Sequence, residues 1–323
     1  MRSMKIDSAN LSRLDLMLWA VVVAVAAVVF GAPAVSDFRI VWASFLLPGG
    51  ACIALVIAAR FYEARQDLRL ASALGATGML LAFSAVGGPL SYLAASANLP
   101  LLDHVFDAAD GELGLGWRGL LDWMNAIPMM HPLFGFAYQS FTIQASVAIL
   151  CLSFSGRFAH LRTFLLAFMT AAVVTIAISA ITPAQGVWGH YGLHAIDHPA
   201  INPVTREFHL PIFHGLRDGS FRLLAGLGSM GIITFPSFHS AIALLFIFAF
   251  WPVPVMRWVG LVVNVMMIAA TPVDGGHYFV DVIAGLVIAA GCWIGASAFV
   301  ERLLAHTRVS PIAAVQGTPL ARD

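Results

Sequence analysis

"FHSAIALLFIFAFWPVPVM", residues 238–256, runs for nineteen positions with no Asp, Glu, Lys or Arg and a single histidine near its start. About twenty predominantly apolar residues is the length a helix needs to cross the hydrocarbon core of a bilayer. Working outward, similar runs fall at 14–32, 39–59, 70–97, 131–154, 161–182, 257–273 and 278–300, which makes eight candidate spans. Composition agrees. The chain is 60% hydrophobic and only 11% charged, with mean hydropathy +0.87, where soluble domains carry about 25% charged residues. A water-soluble globular domain is excluded. The fold class expected is all-α, a polytopic transmembrane helical bundle of about eight spans. Gly87-Gly88-Pro89 marks the long 70–97 segment as one that kinks or splits.

Charge placement orients the bundle. With the N-terminus inside, twelve of the seventeen basic residues lie in inside segments, and Arg39, Arg118, Arg206, Arg217 and Arg222 make up the outside set. This satisfies the positive-inside rule and puts both termini in the cytoplasm of a plasma or inner membrane. The apolar start followed by "GAPA" (31–34) also fits a cleaved signal peptide; its length favours a retained anchor. Cys52, Cys151 and Cys292 lie far apart inside spans, with neither disulfide nor zinc spacing, and read as packing residues.

The organisation that follows is an N-terminal set of transmembrane helices (1–97), a catalytic membrane domain (98–300) and a cytoplasmic tail (301–323). Two outer loops interrupt the catalytic domain. The first, 98–130, carries Asp103, Asp107, Asp110, Glu112 and Asp122 and is read as short amphipathic helices at the interface. The second, 183–237, holds His190, His194, His198, His209 and His214, and its length suits a functional loop. The i, i+4, i+8 spacing of His190, His194 and His198 would suit zinc on a helix, but Gly192 and Pro199 argue against that helix.

On this topology, two motifs open spans at the same face. In "GGHYFVD" (275–281), His277 and Asp281 stand four apart, so on a helix the carboxylate can accept from one ring nitrogen and leave the other as base or nucleophile. In "TFPSFHSA" (234–241), Pro236 and Ser237 suit a helix start whose free N–H groups favour phosphate, and His239 in the first turn can donate a proton. The bland readings are a helix-packing polar pair and an ordinary cap.

Together the motifs resemble the type 2 phosphatidic acid phosphatase superfamily, whose second signature is P-S-G-H and whose third ends in H-x3-D. Pro236-Ser237-Phe238-His239 and His277 through Asp281 match them. Phe at the glycine position is closer to the inositol phosphorylceramide synthase-like (inositolphosphotransferase) branch. So are "GGHYFVDVIAG" (275–285), "DGELGLGW" (110–117), "FAYQS" (136–140), "LRDGSFRLL" (216–224) and "TPVDGGHY" (271–278). The resemblance implies a six-helix phosphatase-type core. It implies His277 as nucleophile forming a phosphohistidine, Asp281 as its orienting carboxylate, His239 as general acid and base, and Ser237 on the phosphoryl oxygens. No metal or other cofactor is implied. The implied partners are a lipid phosphate, water or a polyol or lipid hydroxyl as acceptor, and the bilayer, without nucleic acid.

Two departures stand out. The first signature, K-x6-R-P, is absent, since the sole lysine is Lys5 and no Arg-Pro occurs; Thr271 occupies the place of the third signature's arginine. Arg217 and Arg222 are the expected replacements, guanidinium being suited to bidentate phosphate contact. Asp274, Tyr138 and Gln139 are candidates for the substrate pocket. The expectation is an extracytoplasmic lipid phosphotransferase or phosphatase, of which one form transfers a phosphoinositol-type headgroup. The alternatives are a plain lipid phosphate or pyrophosphate phosphatase and, further off, a transporter or a membrane haem protein ligated by His239 and His277.

Overall fold

The computed structural model describes residues 8–194, 198, 201, 209–229 and 231–306. The tail beyond 306, the N-terminal charges Arg2 and Lys5, and Arg206 fall outside the described residues.

Helices account for nearly all of the regular structure. Long apolar helices are α1 (Ser8–Gly31), α2 (Ala43–Ala64) and α3 (Leu68–Ala95). Two short helices, α4 (Asp103–Glu112) and α5 (Trp117–Ala126), follow. Next come α6 (His131–Gln139), α7 (Phe141–Phe154), α8 (Phe158–Ile181) and the single turn α9 (Val187–His190). The chain closes with α10 (Leu210–Asp218), α11 (Phe238–Phe250), α12 (Pro254–Asp274) and α13 (Phe279–His306). One two-residue parallel pair joins β1 (Arg39–Ile40) to β2 (Leu223–Leu224).

Among the described residues six helices, α1, α2, α3, α8, α12 and α13, are long and apolar enough to cross a membrane; α6 and α7, bent by 54°, pass the same test as a pair and form a broken span or a re-entrant loop. The split allowed for at Gly87-Gly88-Pro89 does not occur, because α3 runs through it as one helix. It lies instead at Ser140, whose hydroxyl donates to the Ala137 carbonyl (2.6 Å) and accepts from Gln144 Nε2 (2.8 Å). A side chain competing for the helix ladder is a recognised cause of bending.

The eighth element, α11, ends at Phe250 rather than at 256. Pro252 and Pro254 follow; proline lacks the N–H that continues a helix, and Pro254 takes the first turn of α12, where that lack costs nothing. With thirteen residues α11 is about 20 Å long. It is apolar all round, and Ala241, Ile242, Leu245 and Phe246 are fully buried among α7, α8, α12 and α13. Such a helix belongs inside a bundle.

The first helix is also part of the packing. Leu14, Leu18, Val22, Val25 and Val29 form its buried stripe. Asp15 accepts from buried Arg162 of α8 at 2.9 and 3.1 Å, and Arg162 also donates to Ser72 of α3.

Candidate active site

Two helix starts are stitched together. Ser237 caps α11, its hydroxyl accepting from the Ser240 N–H, while its own N–H donates to the Asp281 carbonyl at 3.0 Å. Ser240 Oγ bridges the Ser237 and Val282 carbonyls at 3.0 and 3.2 Å. This contact explains the last glycine of "GGHYFVDVIAG". A Cβ at Gly285 would fall inside the contact radius of the Ser237 carbonyl oxygen and 2.5 Å from Ser240 Oγ. The starts of α11 and α13 therefore lie side by side, which brings their histidines to one end of the bundle.

His277 sits in the turn between α12 and α13. Gly276 takes φ +69°, a region glycine enters freely. A Cβ on Gly275 would lie 2.7 Å from the His277 ring and 2.8 Å from the Tyr138 hydroxyl, so only glycine leaves both groups their places. His277 Nδ1 is 3.3 Å from Asp281 Oδ2, which also accepts the Tyr278 N–H at 2.9 Å. Both side chains are buried.

His239 stacks on Tyr138 of α6, ring centroids 4.1 Å apart, with its Nδ1 3.2 Å from the Tyr138 hydroxyl. His239, His277 and Tyr138 line a single small cavity together with His209, Gln185 and Thr234. The two imidazoles placed at one face by sequence thus share one chamber.

The other candidates lie elsewhere. Ser237 is fully buried as the α11 cap, and Asp274 is buried at the end of α12; neither lines the cavity. Gln139 is exposed, one residue and thus about 100° round α6 from Tyr138. Arg217 donates to the Leu99 carbonyl at 2.7 Å and lies over the Phe213 ring, and its buried Nη1 has no hydrogen-bond partner. Arg222 pairs with Asp37 at 2.9 Å and lies over Phe38. Neither arginine lines the cavity.

Electrostatics at the chamber favour neutral rings. Burial holds the His277 pKa down at about 4, against a smaller opposing pull from the Thr234 backbone. Burial and then the nearby His277 hold His209 at about 4.

The acidic loop 98–130 does more than lie at an interface. Asp110 accepts from the Phe279 and Val280 N–H groups at 2.7 and 2.9 Å and so caps α13. Burial raises its pKa, while those two amides lower it. Asp103 accepts from the Tyr278 hydroxyl and from the Gln185 and Gly186 N–H groups. Trp117 and Trp188 donate indole N–H bonds, each 2.8 Å, to the Pro272 and Val273 carbonyls. These four side chains clamp the turn that carries His277. Nothing in the local sequence gives these four this role, although Asp110 and Trp117 bound the "DGELGLGW" stretch. By sequence His209 is one loop histidine among several.

His198 is held by Asn125 at 3.0 Å and packs on Trp188, while His190 faces Asp107. Among the described residues, no group of three or more His, Cys, Asp or Glu side chains is arranged to hold a metal ion.

The family model described as "PAP2 superfamily" matches residues 104–294, well over half of the 323-residue chain. Neither a curated protein nor a solved structure matches it. The match begins at α4, takes in the clamping loop and both histidine motifs, and ends within α13. This multi-pass membrane protein therefore belongs to the PAP2 superfamily, that of the type 2 phosphatidic acid phosphatases.

Proposed function

We propose that the protein is a metal-independent lipid phosphotransferase or phosphatase working through a phosphohistidine on His277. One observation carries this reading: His239 and His277, from separate helix starts, line one cavity, and His277 has a carboxylate at Nδ1. Asp281 holds the Nδ1 proton, leaving the Nε2 lone pair free to attack phosphorus. As the N–P bond forms, the bond from phosphorus to the leaving alcohol breaks. Its electron pair goes to that oxygen, and His239, which takes up a proton once the phosphate anion is bound beside it, supplies that proton. In the second half, the acceptor hydroxyl gives its proton to His239 and attacks phosphorus, and the P–N electron pair returns to His277.

Ser237, expected to hold the phosphoryl oxygens directly, is instead the buried cap that fixes the start of α11, whose dipole favours the phosphoryl charge. Arg217 and Arg222 act from outside the cavity wall as attractive charges, Arg217 having the guanidinium nitrogen without a partner. Residues 98–300 form the catalytic unit, and the arginine asymmetry puts the cavity on the extracytoplasmic side with both termini in the cytoplasm. His277 is only 3% exposed. A phosphoenzyme so shielded from bulk water favours transfer to a bound hydroxyl, in keeping with the inositolphosphotransferase-like branch.

Purified protein incubated with lipids carrying labelled phosphate, with and without inositol or an acceptor lipid, tests the reading. Labelled free phosphate marks hydrolysis and a new labelled lipid marks transfer. Either product should disappear in His277→Gln. Neither product, and no acid-labile phosphoenzyme, would sink the reading.

A further inference from the structure

We infer that His209 is a substrate-binding residue of this chamber, its imidazole gripping a non-bridging phosphoryl oxygen in place of the cations the chain lacks. The inference rests on the proposed phosphohistidine chemistry and adds a third histidine to it.

Three observations converge. His209 stands immediately before α10 and lines the same cavity as His239 and His277. Its Nε2 is buried and makes no hydrogen bond. A buried ring nitrogen is seldom left so, because an unmet polar atom costs about 1–3 kcal/mol. Here it belongs to a ring that lines the chamber beside His239 and His277.

The second observation concerns charge. Among the described residues, neither lysine nor arginine lines the cavity. The first-signature cations are missing from the sequence, Thr271 stands where another arginine would, and Arg222 is tied to Asp37. A phosphate entering the chamber therefore meets imidazoles and a tyrosine hydroxyl.

The third is the mutual influence of the rings. His209 lies close enough to His277 for a proton on one to disfavour a proton on the other. The groups facing His209 across the cavity are His239 from α11, His277 from the α12–α13 turn and Tyr138 from α6. With the chamber empty of anions His209 is neutral. A bound phosphate reverses the sign of the local field and favours the imidazolium, whose N–H then donates to the phosphoryl oxygen. The helix behind it is anchored by buried Phe213 and Leu216, which fixes the ring's approach.

The test compares His209→Gln and His209→Lys with wild type in the full-length, detergent-purified protein. The probes are labelled phosphatidic acid as substrate and inorganic phosphate as competitor. Loss of a charge-assisted hydrogen bond should raise KM and the inhibition constant for phosphate about ten- to a hundredfold in His209→Gln, with a smaller change in kcat. Lysine should restore phosphate inhibition to within about fivefold, since it supplies the charge without the ring. If His209 only packs the fold, lysine will do worse than glutamine and the inhibition constants will not move. Either result overturns the inference, and His209→Asn serves the same comparison should the glutamine variant fail to fold. Wild type that forms no acid-labile phosphoenzyme and is indifferent to phosphate removes the underlying reading and this inference with it. Wild type that shows both, beside His209 variants that match it, removes the role of His209 alone.

Discussion

Gly285→Ala should cripple the enzyme without touching a single side chain that performs chemistry. The added Cβ would fall 2.5 Å from Ser240 Oγ and nearer still to the Ser237 carbonyl oxygen. Ordinary carbon contacts need about 3.5 Å, so α11 and α13 must part locally by about 1 Å. Overpacking of this kind costs about 1–3 kcal/mol of stability. The larger effect is on geometry. The same contact sets the distance between His239 on α11 and His277 at the head of α13, and a misplacement of about 1 Å at reacting atoms costs about a hundredfold in rate. A control lies on the same helix: Gly291 has nothing within 4 Å of its notional Cβ. Gly291→Ala should leave turnover intact, and replacing a helical glycine should stabilise by up to about 1 kcal/mol. Initial rates with labelled phosphatidic acid and thermal unfolding in detergent measure both variants. A Gly285→Ala protein with wild-type turnover would mean that the two histidines are not placed by this helix contact.

Four further outcomes are expected. Asp281→Asn keeps the volume but removes a charge 3.3 Å from His277 Nδ1. In an effective dielectric of about 20 that charge is worth about 5 kcal/mol to a positive ring, so kcat should fall by about 10³- to 10⁴-fold; a loss under tenfold refutes the orienting role. Tyr138→Phe keeps the stacking on His239 but loses the hydroxyl at 3.2 Å. A drop in kcat of about tenfold with unchanged unfolding temperature is expected, and an unchanged kcat counts against it. Asp15→Ala strands buried Arg162 and should cost about 3 kcal/mol in unfolding experiments while sparing KM; full stability would show the pair to be dispensable. Finally, His277 and His209, held at about 4 when folded, take up protons near the ordinary 6.5 only when unfolded. Stability should therefore be fully present above about pH 6.5 and fall progressively toward pH 4, an effect that His209→Gln should blunt.

Sequence alone determined that this is an all-α membrane protein and that a histidine–aspartate pair and a second histidine stand at the starts of two of its apolar helices. Those are local properties: the length of an apolar run, the spacing of i and i+4 residues, the residue at a helix cap. Even the boundaries follow where the cause is local, as with the prolines between α11 and α12. Tertiary structure alone decided who shares the chamber. It brought in His209, one histidine among five in a long loop, and left Arg217, Arg222 and Gln139 outside the lining. It turned Asp103 and Asp110 from loop charges into a clamp on Tyr278 and the head of α13, across separations of 175 and 169 residues. It kept α3 continuous through Gly87-Gly88-Pro89 and interrupted the 131–154 run at Ser140. Contacts over such separations depend on how helices pack and which way each side chain points, and no window of local sequence holds that information.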